Sequence, residues 1–505
     1  MRKGLFAALL VSLAACGAVF CSEAALAENK EDSTVVFAMS MEPKALVRNR
    51  SSDTATCNVC AQIYESLLTQ DKDMKLAPSL ATSWERIDDM HYRFHLRDGV
   101  TFHNGDKFTA DDVLYSFRMF VEAPNLASMW RPVDVENCKA EDPLTVVIAL
   151  KHPYPAFLNL CASDHGFIVN KKAMEADPKE YAEHPVGTGP FKFVGWKTGD
   201  YLKFEANENW WGGKVGFRNL IMRYIPEATT RAIEGESGNV EVAQVSTDNA
   251  REAMDEKDRG FSILGQQTLN ASYLSFNCKV KPFDNPKVRQ AVALAIDAKT
   301  IVNSYFQGLC EVGTSFLAPA TWGYSNVDSR FNGFDPEEAR KLLTEAGYPN
   351  GFKCTLISNS RQPVCEMIQA YLANIGIQVD LNVTDFTNWL DAIVNGRQQM
   401  YVGGWTTVGD ATDGVAIVDS RNLGAGGNRS FYANPEADKL IDVINTEVDE
   451  QKRAEACTKL QKLIVDEAVI IPLWVGKNFY IVNDRISGFW VRPSQIPVFS
   501  EVKFN

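Results

Sequence analysis

In a chain of 505 residues, the stretch Met400–Val415, MYVGGWTTVGDATDGV, concentrates side chains suited to noncovalent recognition. Gly403 and Gly404 let backbone approach another group closely. Trp405 offers a large, stiff, partly polar surface. Thr406 and Thr407 donate or accept hydrogen bonds, and Asp410 and Asp413 are anionic acceptors. Such a set lines a polar cleft with an aromatic wall. The competing reading is a surface turn with a half-buried tryptophan, and the stretch alone does not separate the two.

The surrounding elements must position it. Met400-Tyr401-Val402 opens it as an apolar strand. Upstream, strands at Asn270–Asn277, Phe352–Ser358 and Ile377–Val383 alternate with helices at Asn285–Tyr305, Pro336–Ala346, Val364–Asn374 and Phe386–Val394. That alternation predicts an α/β lobe with a mainly parallel sheet. Downstream, helices at Glu436–Asn445 and Gln451–Glu467 precede closing strands at Val469–Val475 and Phe479–Val482. Nearer the N-terminus, Thr34–Met39 reads as a buried strand, Val59–Leu68 as helical and Pro78–Trp84 as a short connection. His91–Leu96 alternates strictly, as a half-buried strand does. Thr109 caps a helix with Asp111 and Asp112 in its first turn and Val113, Phe117 and Phe120 on its buried stripe. Leu220–Ile225, helix Thr229–Glu236 and Val240–Val245 form a βαβ pattern. There is no repeat or long linker, so any lobes must be joined by strand crossovers.

The N-terminus carries an export signal: Arg2 and Lys3, an apolar run Leu5–Ala15, and the small-residue site Ala25-Leu26-Ala27. Cleavage after Ala27 is favoured over lipidation at Cys16, whose context Leu13-Ala14-Ala15-Cys16-Gly17 has the form of a lipobox. Both place the mature chain outside the cytoplasmic membrane. About 478 mature residues exceed one core and imply two or three domains. The formal charge of −13 becomes −14 without Arg2, Lys3 and Glu23, which excludes a nucleic-acid partner in a chain with no basic cluster.

Of eleven cysteines, Cys16 and Cys21 lie in the leader, leaving nine. Cys57-Asn58-Val59-Cys60 has the CxxC form without a second pair or a nearby His pair, and is read as small apolar residues near a helix start. Cys354 and Cys365 flank one strand–loop–helix unit and can bridge. No GxSxG, HExxH, SxxK or Walker stretch supports an enzyme. All six histidines fall between residues 91 and 184, away from the Met400–Val415 stretch. No residue set calls for a cofactor or a bound metal.

Four segments resemble one family, the large class-C-type extracytoplasmic solute-binding proteins (family 5) of bacterial ABC importers for peptides, nickel and related solutes. They are HYRFHLRDGVTFHNGDKFTADDVLYSF within Trp84–Phe117; HPVGTGPFKFVGW at His184–Trp196, continuing to ENWWGGK; KVRQAVALAIDAKTIVNSYFQG at Lys287–Gly308; and FDPEEARKLLTEAGYPNGF at Phe334–Phe352, with later IGIQVDL and GNRSFYANPEADKLID. The resemblance covers essentially the whole mature chain. It implies a class-C periplasmic-binding-protein-like α/β fold: two lobes closing on a ligand, plus an extra domain inserted in the first lobe. The expected division is a signal peptide at 1–27, lobe I at 28–63, 186–270 and 477–505, the inserted domain at 64–185, and lobe II at 271–476. Strands near Leu269–Ser275 and Leu473–Phe479 would be the hinge.

The same resemblance implies an importer's binding component, a monomer that delivers peptides (di- or oligopeptide, or glutathione-like) to membrane permease subunits. A nickel or metal-chelate binder is the alternative, a secreted hydrolase a more distant one, and a structural or adhesive protein a third class. Peptide binders of the family hold the amine with an aspartate three positions after the cleft tryptophan; Val408 stands there in this chain. The segment GGWTTVGDATDG instead resembles versions with a later acid, which makes Asp410 the amine candidate and Asp413 the reserve. Arg361 falls where dipeptide binders place a carboxylate-holding arginine. Trp405, Thr406 and Thr407 would line the cleft with Arg50 and Asp53 of the first lobe, Tyr273 and Asn277 beside the crossover, and Arg429 of GNRSFY.

Overall fold

The computed structural model describes residues 33–51, 53–254 and 259–505. The expected signal peptide and Cys16 lie outside the described residues. Within them, no helix is long and apolar enough to cross a membrane.

One eleven-stranded sheet runs through the chain. From one edge its order is Gln378–Val383, Lys353–Ser358, Met400–Thr406, Phe261–Phe276, Ile470–Asn483, Val242–Val245, Thr34–Met39, Asn219–Tyr224, Tyr201–Ala206 and Phe191–Lys197, with Glu311–Val312 pairing beside Ile470–Asn483. The two long central strands pair with each other antiparallel from Phe261↔Asn483 to Ser275↔Ile470. Their register shifts between Gln267 and Ala271. On one side of that shift Ile470–Asn483 also pairs with Val242–Val245; on the other, Phe261–Phe276 also pairs with Met400–Thr406. A bulge of this kind bends the ladder, and the sheet divides into two halves about these paired strands.

Each half has its own core. Phe37, Phe191, Phe204, Leu220 and Val242 are buried in the first. In the second, Phe276, Val288, Leu356, Ile368 and Met400 pack under one face of the sheet, and Ile393, Ile441, Leu460 and Ile464 on the other. A separate four-stranded sheet, ordered Ala81–Arg86, His91–Leu96, Thr145–Ala149 and Lys139–Asp142, sits between the first and second strands of the main sheet in sequence. It buries Phe94, Phe117, Phe120 and Trp130 in a third core. The helix Ala110–Glu122 starts in a capping box, with the Thr109 N–H donating to Asp112 at 2.9 Å.

Several expected elements change. Pro78–Trp84 is no simple connection, because Ala81–Arg86 pairs with His91–Leu96 as an outer strand with mostly exposed side chains. Helix Asn285–Tyr305 is two helices, Pro286–Ala295 and Ala298–Phe306, with Asp297 capping the second through Thr300 N–H at 2.9 Å. The two expected closing strands are one, Ile470–Asn483. Cys354 and Cys365 are both free thiols and do not bridge.

Candidate functional site

The strand Met400–Thr406 delivers its last residues to the junction of the two halves. Gly403, Gly404 and Thr406 line a cavity of about 380 Å³ together with Asn270, Arg361 and Trp474. Thr247, Asn478 and Gln495 line it as well, so both halves contribute. Gly404 is required by backbone proximity: a Cβ there would stand 3.0 Å from the Ala271 carbonyl oxygen in the adjacent strand. Thr406 is exposed and accepts a hydrogen bond from Asn270 Nδ2 at 3.0 Å.

Two cations line this cavity, Arg361 and Lys477, and Lys477 is paired with Glu311 at 3.0 Å. Arg361 is the other. It precedes helix Gln362–Ala373 in the left-handed region, at φ +55°, a conformation costly for a side chain larger than glycine. Its guanidinium lies 5.0 Å from the Phe306 ring centre, 5.6 Å from Trp474 and 6.0 Å from Tyr305. Aromatic faces attract a cation without neutralising it. No carboxylate or hydrogen-bond acceptor pairs with this side chain among the described residues.

Trp405 donates its indole N–H to Asp413 Oδ2 at 3.3 Å. Asp413 lies in the short helix Ala411–Gly414, and burial pushes its carboxyl up to about 6 against the opposing pull of the Trp405 hydrogen bond and His165. Arg429 stands 5.5 Å over the Trp405 ring, with its buried Nε unpartnered.

The expectation that Asp410 anchors an amine does not fit its surroundings. Asp410 is fully buried and its carboxylate is committed. It pairs with both terminal nitrogens of Arg453, the Nη1 contact at 3.1 Å. It also accepts from Asn159 Nδ2 and from Thr412 N–H, each at 2.9 Å. Arg453 in turn donates Nε to the Ile444 carbonyl at 2.7 Å and stacks on Trp322 at 4.0 Å. Of the two carboxylates, Asp410 is paired with an arginine and Asp413 is not.

Other expected cleft residues do not line this cavity. Thr407 is buried, its hydroxyl 2.8 Å from that of Thr321. Tyr273 lies in the core against Tyr401, ring centres 6.3 Å apart. Asn277 donates to the Gly396 carbonyl at 2.9 Å and accepts from Lys279 N–H. Asp53 caps helix Thr54–Ile63, accepting from Thr56 N–H at 2.9 Å and from the Ser51 and Thr56 hydroxyls, each at 2.6 Å. Arg50 is exposed and donates to the Pro178 carbonyl at 3.2 Å.

Sequence reading missed Arg48, Asp164 and Arg453. Arg48, not Arg50, is buried, and it is bonded to Asp164 Oδ2 at 3.1 Å. Although burial opposes it, His165 and Arg48 hold the Asp164 carboxyl well below the usual range. One sequence signal pointed to Arg453: it falls on the same helical face as Ala456, Cys457, Leu460 and Ile464, and a charge on an apolar stripe implies a buried partner. Among the described residues no group of three or more His, Cys, Asp or Glu is placed to hold a metal ion.

Residues 75–424 match the family described as bacterial extracellular solute-binding proteins, family 5 Middle. Over 508 aligned residues the chain is 30% identical to heme-binding protein A of Haemophilus influenzae, covering 92% of this chain and 91% of that protein. It is also 30% identical to glutathione-binding protein GsiB of Escherichia coli strain K12, over 88% of this chain and 89% of the relative. The solved structure of the periplasmic binding protein DppA from Helicobacter pylori, in complex with peptide STSA, matches with a TM-score of 0.76 at 27% identity, over 94% of this chain and 99% of that one. The chain belongs to family 5 of the bacterial extracellular solute-binding proteins. It has their two-lobed architecture and is a solute-binding component of an ABC importer, not an enzyme.

Proposed function

We propose that this protein captures peptides or peptide-like solutes with a free carboxylate in the cavity between its lobes and hands them to permease subunits in the cytoplasmic membrane. The observation that carries this reading is Arg361, a cation without a paired anion on the wall of a polar cavity of about 380 Å³. A guanidinium pairs with a carboxylate in bidentate fashion. The backing rings leave its polar edge for a solute. Strand edges at Gly403–Thr406 offer backbone groups to an extended peptide, and Asp413 is the carboxylate suited to its ammonium. The protein acts as an extracytoplasmic monomer, and closure of the lobes is a population shift driven by contacts made to both.

The test is calorimetric titration of wild type and Arg361→Gln with peptides carrying free or amidated C-termini. Wild type should favour the free acid by about 10- to 100-fold, and Arg361→Gln should erase that preference. Equal binding of acid and amide by wild type would overturn the reading.

A further inference from the structure

We propose that Asn159, Asp410 and Arg453 form a clasp that holds the four-stranded-sheet region against the second lobe and sets how long a captured solute is retained. Asn159 lies on helix Phe157–Ala162, which belongs to the third core. Its carboxamide crosses to the second lobe and donates to Asp410 Oδ2 at 2.9 Å. The acceptor is held in place from behind by Arg453, whose side chain is 4% exposed, and by the N-terminus of helix Ala411–Gly414. Asp410 therefore presents one fixed oxygen to Asn159 and cannot turn away.

Elsewhere in this junction, Met74 and Gln70 pack beside Gly409. Arg86 Nη1 reaches the Val448 carbonyl at 3.5 Å, an exposed and long contact. Between it and the clasp lies a cavity of about 660 Å³, lined by Tyr92 and Leu158 on one side and by Trp322 and Arg453 on the other. Where two bodies meet around a cavity, apolar burial is limited and single polar contacts weigh more. A hydrogen bond to a charged acceptor corresponds to about a tenfold change in the closed population. The retention role rests on the solute-capture reading; the clasp itself does not.

Hydrogen exchange on the full-length mature protein tests the clasp without a solute. In Asn159→Ala, amides at 156–162 and at 409–414 should exchange about tenfold faster, with the main sheet unchanged. Asn159→Asp, which sets a second carboxylate against Asp410, should go further; Asn159→Ser serves if the alanine variant does not fold. Unchanged exchange at 409–414 in the variants that fold would overturn the proposal. With tri-alanine as probe, Asn159→Ala should raise the dissociation rate about tenfold and leave the association rate alone. Equal changes in both rates would overturn the retention role. Failure of wild type to bind tri-alanine counts against that peptide as solute, and the exchange result then decides the clasp.

Discussion

Arg453 and Asp410 meet as a buried ion pair, their side chains 4% and 1% exposed, although one lies on helix Glu450–Asp466 and the other caps Ala411–Gly414. Removing one member leaves an uncompensated charge in the interior, a loss of about 3–5 kcal/mol. Asp410→Ala should therefore lower the urea midpoint of the whole protein by that equivalent, with Arg453→Leu similar. An Asp410→Ala protein of normal stability that had lost affinity only for free amines would restore Asp410 as the ligand anchor.

Asp413 behaves in the opposite sense. Burial raises its carboxyl from 3.8 to about 6, so between those values the folded chain binds a proton that the unfolded chain does not. Its ionisation costs stability as pH rises toward about 6, and the full cost is present above that. Asp413→Asn should gain about 1–2 kcal/mol at pH 8 and nothing at pH 3.5, measured by denaturation across pH. A free-amine peptide, needing the ionised form, should bind more weakly as pH falls through about 6. A gain independent of pH would contradict the assignment.

The cysteines give a chemical count. Cys60, Cys138, Cys161, Cys278, Cys310, Cys354, Cys365 and Cys457 are free, and burial pushes Cys60, Cys354 and Cys457 up to about 12. Because the thiolate is the reactive species, iodoacetamide at pH 8 should label few of these eight thiols in the native protein and all eight in urea, with or without reductant. A mass lower by two hydrogens per pair, restored by reductant, would reveal a bridge.

Gly404 tests the fit of the cleft strand. Its added Cβ would press the Ala271 carbonyl, which is fixed in the ladder. Gly404→Val should cost about 1–3 kcal/mol of stability, and it should weaken solute binding because the same residue lines the cavity. Wild-type values for both would place the cavity wall elsewhere.

Much of the fold was legible because period and punctuation agree. His91–Leu96 alternates and is a strand, and Thr109 with Asp112 opens the helix it predicts. The failures have local causes. Ala81–Arg86 shows little apolar alternation because only Ala81 is buried, and Gly265-Gln266-Gln267 hid the first half of Phe261–Phe276 behind polar residues. Asp297 in the run Asn285–Tyr305 was a cap rather than a helix-interior residue. Arg361 was found by resemblance and lies on the cavity. The role of Asp410 was not legible, because Arg453 is 43 residues away and Asn159 is 251 away. Spacing along the chain carries no information about such partners. Thr407, Tyr273 and Asn277 sit beside the site in sequence, yet the pleat or a turn directs each into the core.

The most direct test is calorimetry of the wild-type mature protein against free-acid di- to pentapeptides and, separately, against nickel ions. Saturable 1:1 binding of at least one peptide, with a smaller radius of gyration in solution scattering on saturation, is the expected result. Heat from nickel and none from any peptide, or binding with no contraction, would contradict peptide capture between closing lobes.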